Sequence, residues 1–452
     1  IRIYNKALTA EQVNLLYTTN DNVIPPAINY AGGGGGSASS GTDATTLGGG
    51  KGGAGLYYSI TTINTEYGKG GNSFETSSLN IEMQKADLTY EKLNINLDNK
   101  TTFVIDDPNI YNDCNIGPFD YTHPEDSSKY TMFMFRYNDI NNTNNQTTYK
   151  LNLNIGIDAK IFVIGGGGAG GSAGTEADGD STSGGGGGGM AYKKITINKS
   201  TYNIIVGRGG YGTDGSVSTG RDGEDGYSSS FLNLIAYGGK GGKIGGSSSS
   251  TDYITADGGL GGSSTGGDIN GTGGNGGHNA SYPNSAKVSA GSGGNGTNNA
   301  PGGGGGAQGY TSNYGSGGNG GNGNSNYFTG GGGGGPADST NTNEQGLGGI
   351  GFYSGGRGGI KGITEANKGT SGDGPGGGLA IPGISRSNNG GGGGSFGGGG
   401  GGHCDYTNSD DASGNNGGTG GYGGDGVVIL LLPEIIPKTS SYTPPITSSL
   451  PA

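Results

Sequence analysis

Residues 160–171 read KIFVIGGGGAGG, and the change of character at position 165 decides the fold. The segment 160–164 is a lysine followed by four apolar residues, β-branched and aromatic, a strand signal. The four glycines that follow carry no side chain with which to build a core. Such runs recur at 165–168, 184–189, 302–306, 330–335, 390–394 and 397–402. Glycine fills 113 of 452 positions, one in four, where average usage is about 7%. Apolar residues make up 29% and tryptophan is absent. That composition excludes one conventional core spanning the chain, because too little apolar area opposes the ordering entropy. It also excludes an α-helical protein, since interior glycine costs about 1 kcal/mol relative to alanine.

Between the runs glycine follows a period of three: GGKGGK at 238–243, GGNGGN at 317–322, GGRGGI at 355–360 and GGTGGYGGDG at 417–426. Three residues per turn is the repeat of the extended left-handed helix, which makes no internal hydrogen bonds. Its N–H and C=O groups point outward and need partners. Helices faced only by glycine approach closely enough to bond laterally, so pure runs suit the interior of a bundle and GGX triplets its boundary. Lys240, Asn319, Arg357, Thr419 and Asp425 then face outward. A single such helix is unstable, because ordering costs about 1–2 kcal/mol per residue against a net of about 0.5–1.5 kcal/mol per hydrogen bond. Many together, anchored by strands, can persist. The competing reading is a flexible glycine-rich linker.

Strands supply the anchor. Leu93, Ile95 and Leu97 alternate with asparagines, as do Leu151, Leu153 and Ile155, the period of a half-buried strand. Segments 102–105, 130–137 and 160–164 add candidates, followed beyond the first glycine run by 190–197, 202–206, 231–237 and 427–432. The expected fold is mainly β: a jelly-roll-like β-sandwich with polar, asparagine-rich outer faces and an inserted polyglycine helical bundle. The expected organisation is 1–20 as the end of an upstream domain, 21–55 as linker and first glycine patch, and 56–164 as sandwich strands. Residues 165–432 form the bundle with interleaved and closing strands, and 433–452 an extended Pro/Ser/Thr tail. One short α-helix is expected near the N-terminus, where Thr9 and Gln12 have capping-box spacing.

Two resemblances follow from these strings. IRIYNKALTAEQVNLLY at 1–17 resembles the last strand and closing helix of laminin-G/concanavalin-like domains. IFVIGGGGAGG, GGGMAYKKITINKSTYNIIVGRGGYG, SFLNLIAYGGKGG and GYGGDGVVIL occur in that order over about 160–432. Together they resemble the glycine-rich domains of phage tail-fibre adhesins, virion fibres and some extracellular receptor modules. That resemblance implies a polyglycine bundle and a place outside the cell or on a virion surface. The chain starts at Ile1 without methionine and reads as a fragment.

Catalytic and metal chemistry find little support. Lys and Arg number 24 against 36 Asp and Glu, a net charge of −12, which disfavours nucleic acid. GxGxxG recurs by chance at this glycine content, and no P-loop lysine is placed for phosphate. GGYGTD at 209–214 begins like a calcium-binding nonapeptide, but Ser216 breaks it and no tandem copy follows. The pairs Asp178/Asp180, Glu224/Asp225 and Asp410/Asp411 read as solvated loops, and His123, His278 and His403 are scattered. Cys114 and Cys404 form no metal-type spacing and are a possible disulfide pair. The apolar run 427–432 is too short for a bilayer needing about twenty residues. No enzyme, cofactor, metal site or membrane span is expected.

Tyr282, Tyr310, Tyr314, Tyr327, Tyr353 and Tyr406 sit in polar segments between glycine runs. They either cap bundle ends by packing over backbone or form an aromatic surface for cell-surface glycans. Sequons stand at Asn99, Asn141, Asn145, Asn198, Asn270, Asn279 and Asn295. The expected function is structural: building or stiffening a fibre by self-association into a homo-oligomer or filament. The alternative is a glycan-binding adhesin at a fibre tip.

Overall fold

The computed structural model describes residues 56–58, 65–67, 80–84, 89–94, 101–102, 116–138, 144–153, 156–172, 181–212, 220–244, 256–279, 289–307, 316–337, 342–359, 369–374, 377–380, 390–403 and 419–433. The chain divides into two units. Of the first, Ile1–Ser77 with Ile435–Ala452, the described part is an antiparallel pair, β1 (Leu56–Tyr58) and β2 (Thr65–Tyr67). The N-terminal strand and helix, the linker, the first glycine patch and the tail beyond Pro433 lie outside the described residues. So do Cys114 and Cys404. Among the described residues helical structure is limited to 3-10 turns at Ser325–Tyr327 and Thr342–Glu344. No helix among them is long and apolar enough to cross a membrane.

The second unit, Ser78–Glu434, holds two seven-stranded sheets. Its strands are β3 (Asn80–Gln84), β4 (Tyr90–Asn94), β5 (Thr101–Thr102), β6 (Phe119–Thr122), β7 (Lys129–Arg136), β8 (Gln146–Leu153), β9 (Ile157–Ile164) and β10 (Met190–Ile197). They continue as β11 (Ser200–Gly207), β12 (Ser229–Phe231), β13 (Leu234–Ala236), β14 (Ser264–Thr265), β15 (Ile269–Gly271) and β16 (Val427–Pro433). One sheet runs β15-β10-β9-β16-β7-β6-β5, the other β14-β13-β12-β11-β8-β3-β4. All described pairings are antiparallel except β5 with β6. The last strand, β16, lies in the middle of its sheet, with Val428 opposite both Phe135 and Val163. The segment expected as one strand at 231–237 is instead a hairpin, β12–β13, turning at Leu232, whose φ is 57°.

Alternation sorts the side chains. On β8, Tyr149, Leu151 and Leu153 are buried while Thr148, Lys150 and Asn152 are not. The inner residues meet the facing sheet, as where Phe135 of β7 contacts Tyr149 edge-on at 5.3 Å. The outer face of the β8 sheet is polar, as expected; Thr201 of β11 donates to Asn152 there. The other sheet departs from the expectation. On β16 all of Val427–Leu432 are buried, and Val427, Ile429 and Leu431 pack in a second cluster on the face away from the first sheet. That face is covered, which is why a six-residue unbroken apolar run serves here as a strand.

The bundle grows from the strand ends. β9 runs on into 165–172, β11 into 208–212, β13 into 237–244 and β15 into 272–279; 181–189 leads into β10, 220–228 into β12 and 419–426 into β16. Glycine helices therefore leave the sandwich with their register already set by sheet hydrogen bonds.

Candidate functional site

The period of three is visible in the donors of residues 165–171. Gly165, Gly168 and Gly171 donate to Gly189, Gly186 and Ser183; Gly166 and Ala169 to Tyr227 and Glu224; Gly167 and Gly170 to Gly424 and Gly421, all within 2.8–3.1 Å. Its carbonyls accept from three further helices: Gly166 from Gly239, Gly167 from Gly210 and Gly168 from Gly400. Six helices thus surround it. The other five pure runs are enclosed in the same way. Gly185 and Gly188, for instance, donate to Gly400 and Gly397, and Gly302 and Gly305 to Gly330 and Gly333.

Close approach excludes side chains. A Cβ on Gly168 would lie 2.1 Å from the Lys240 carbonyl oxygen, and one on Gly304 2.0 Å from that of Gly400. The obstructing atoms are backbone, so nothing rotates aside. Ala169 is fully buried within the same run.

The boundary helices carry a rule that the sequence analysis missed. A GGX helix at the rim directs one N–H per turn away from the core, where no helix accepts it. Oxygen-bearing X side chains of the adjacent rim helix take those protons. Asn295 accepts from the Asn322 amide at 2.7 Å, and Asn319 and Asn322 accept from the Leu347 and Ile350 amides at 2.8 Å. Asp225 and Asp222 cap Gly241 and Ile244, Asn275 caps Gly261, and Thr370 caps Arg357. X residues that cap nothing are free to be anything: Lys240 and Lys243 pair with Asp225 and Asp222, and Leu347 and Ile350 stand 60% and 70% exposed. The sequence signal was the residue type at every third position, Asp, Asn, Ser or Thr, which are side chains that bond locally to backbone.

Where glycine helices turn back at the sandwich, the turns are aromatic. Ala300, Phe328, Tyr353 and Phe396 pack with Met132, Met134, Phe162, Ile164, Met190 and β16. Phe328 and Phe396 hold φ of 60° and 66°. A left-handed residue costs roughly 1–2 kcal/mol, and burying a phenylalanine returns about 1.5–3 kcal/mol, so burial prevails.

Arg208, at the end of β11, is 6% exposed. Its guanidinium donates to both Glu224 oxygens at 3.0 and 2.6 Å, to Asn145 Oδ1 at 3.1 Å and to the Gly209 carbonyl, and it lies over the Tyr211 and Tyr227 rings. Burial opposes its charge, but the Glu224 bonds hold it above the usual range. Burial likewise opposes the Glu224 carboxylate, which Arg208 holds below its usual range. Burial pushes the Asp425 carboxyl up to about 7, against the amide of Gly209, which donates to it at 2.7 Å.

At the far end of the bundle polar side chains close the helices. Thr182 donates to the Gly171 carbonyl and accepts from the His403 amide, and Asn279 donates to Ser181. His403 is wholly buried, and burial lowers its imidazole to about 3.

Two of the six singled-out tyrosines are described. Tyr353 is buried in the aromatic seam and Tyr327 is half-buried beside it. Tyr282, Tyr310, Tyr314 and Tyr406 lie outside the described residues. The acidic pairs Asp178/Asp180 and Asp410/Asp411 do too, while Glu224 and Asp225 belong to the Arg208 cluster and the rim. His123 sits under the seam against Phe162 and Phe328, and His278 is exposed on the rim. Among the described residues no group of His, Cys, Asp and Glu could hold a metal ion.

A family model described as a glycine-rich domain matches residues 142–395 of the chain. No curated protein matches its sequence.

Proposed function

The chain belongs to the glycine-rich domain family, and from that premise and the bundle's geometry we propose a non-enzymatic structural protein that builds or stiffens a fibre. The observation that carries the reading is the enclosure of pure glycine runs on six sides by hydrogen-bonded helices. Such a lattice resists bending and proteolysis because its backbone groups are paired and its interior has no room to rearrange. It supplies stiffness where a chain with 29% apolar residues has little hydrophobic core. The setting is extracellular or a virion surface, and the partner is a further copy of the chain. Electron cryomicroscopy of native material tests this. A helical repeat with the chain in every subunit supports it; isolated monomers with no periodic assembly overturn it.

A second reading, a glycan-binding adhesin at a fibre tip, draws support from topology. The described residues flanking Tyr282, Tyr310 with Tyr314, and Tyr406 are 279 and 289, 307 and 316, and 403 and 419. Asn279, Ala307 and His403 all bond to the Ser181–Thr182 segment at the end away from the sheets. Copies located only at a distal tip, together with retention on glycan arrays, favour this reading.

A further inference from the structure

We propose that Tyr192 and Tyr327, seated over Phe162 beside Lys160, form a binding face for a pyranose sugar on the flank of the sandwich. Tyr192 comes from β10 and Tyr327 from the 3-10 turn between glycine helices. Their rings meet at 5.9 Å and 83°, making a corner. Phe162 of β9 forms its floor, 4.8 Å from Tyr192 and 6.0 Å from Tyr327. Both tyrosines are half-buried.

The seam does not need tyrosine here. Phe328, Phe352 and Phe396 fill it with plain rings at 5–6 Å spacings. Other half-buried tyrosines bond to protein, as Tyr202 does to the Asn198 carbonyl and Tyr227 to Glu224. The Tyr192 and Tyr327 hydroxyls have no such partner among the described residues. Two phenols with open hydroxyls on a hydrophobic corner suit a ligand that is apolar on one face and polyhydroxylated at its edge.

The surrounding charge narrows the class. The Lys160 ammonium pairs with Asp126 at 2.6 Å and lies over the Tyr130 ring, so it neither demands an anion nor repels a neutral ligand. Asn326 donates to Glu125 at 3.4 Å on the border, a long bond that leaves amide and carboxylate available to vicinal hydroxyls. A neutral hexopyranose fits: C–H groups over the Tyr192 ring, and edge hydroxyls to the Tyr192 and Tyr327 phenols, Glu125 and Asn326. This face is separate from the far-end connections and holds whether or not they bind a ligand.

The test is NMR on the full chain labelled at tyrosine, titrated with the methyl glycosides of glucose, galactose, mannose and N-acetylglucosamine. Tyr192→Phe and Tyr327→Phe keep the packing, and their missing signals assign the two resonances. At least one glycoside should move both signals up to about 100 mM, where a millimolar site saturates. Each Phe variant should then weaken binding about three- to tenfold, the loss of one hydrogen bond. Motionless Tyr192 and Tyr327 signals with all four sugars overturn the proposal, as do Phe variants that bind unchanged. Shifts confined to other tyrosines also overturn it and favour the far-end reading instead.

Discussion

The amide of Gly400 donates to the carbonyl of Gly168 at 2.9 Å, joining two glycine helices through the middle of the bundle. A Cβ on Gly400 would lie 1.9 Å from the Gly421 carbonyl oxygen. Gly400→Ala must displace backbone in a lattice of backbone. We expect a loss of about 3 kcal/mol or more, the upper end for overpacking, measured by denaturant unfolding. Lys240→Ala, at an exposed rim position, should change stability by less than about 0.5 kcal/mol. Equal effects at the two sites would contradict the interior–rim distinction.

The rim caps are testable one amide at a time. Asn319→Ala removes the acceptor for the Leu347 amide, at a cost of about 1 kcal/mol. Hydrogen exchange at Leu347 should accelerate while Ile350, capped by Asn322, stays protected. Leu347→Asn caps nothing and should be close to neutral. If Asn319→Ala left exchange at Leu347 unaltered, side-chain capping would be incidental.

Phe396 ties a bundle turn to the sheet, 5.1 Å from Tyr353 and stacked on Phe352. Phe396→Ala opens a cavity at a residue with left-handed φ, so the expected loss is about 3–5 kcal/mol. Its φ of 66° makes Phe396→Gly less damaging than packing alone implies, since glycine removes the strain. Thermal unfolding of the two variants decides this, and a Gly variant clearly less stable than the Ala variant would count against it.

Stability should fall on acidification, partly through His403. Its folded-state value of about 3 lies below the unfolded 6.5. The unfolded chain therefore binds a proton that the folded one refuses, and stability is lost as pH drops from 6.5 towards 3, at up to ~1.4 kcal/mol per pH unit. Asp425 acts in the opposite sense: raised to about 7, it favours the protonated folded form, so its contribution is lost as pH rises from 3.8 through 7. Unfolding free energy against pH for His403→Gln should show a shallower acid limb, and for Asp425→Asn, which leaves the His403 slope unopposed, a steeper rise between pH 4 and 6.5. Superimposable profiles for wild type and His403→Gln would remove imidazole burial as a cause.

Much of this architecture was legible in the chain. Glycine runs and GGX triplets separate interior from rim because a missing Cβ is a local property that any neighbour must respect. Strands β7, β9, β10 and β16 were readable from apolar patterning, since burial needs side chains of that kind wherever the strand is placed. Asn319 could be read as outward-facing, but not as a cap, because its partner is the amide of Leu347, 28 residues further on.

What the sequence determined alone was therefore the material: β-strands, three-residue helices and the exclusion of a single apolar core. Tertiary structure decided which helices adjoin, that the outer face of the β16 sheet is covered by Phe328, Tyr353 and Phe396, and that Tyr192 meets Tyr327. Glycine helices all present the same backbone groups, so no local pattern selects their neighbours. The strands that launch them and the aromatic turns that return them do, through contacts between residues far apart in the chain.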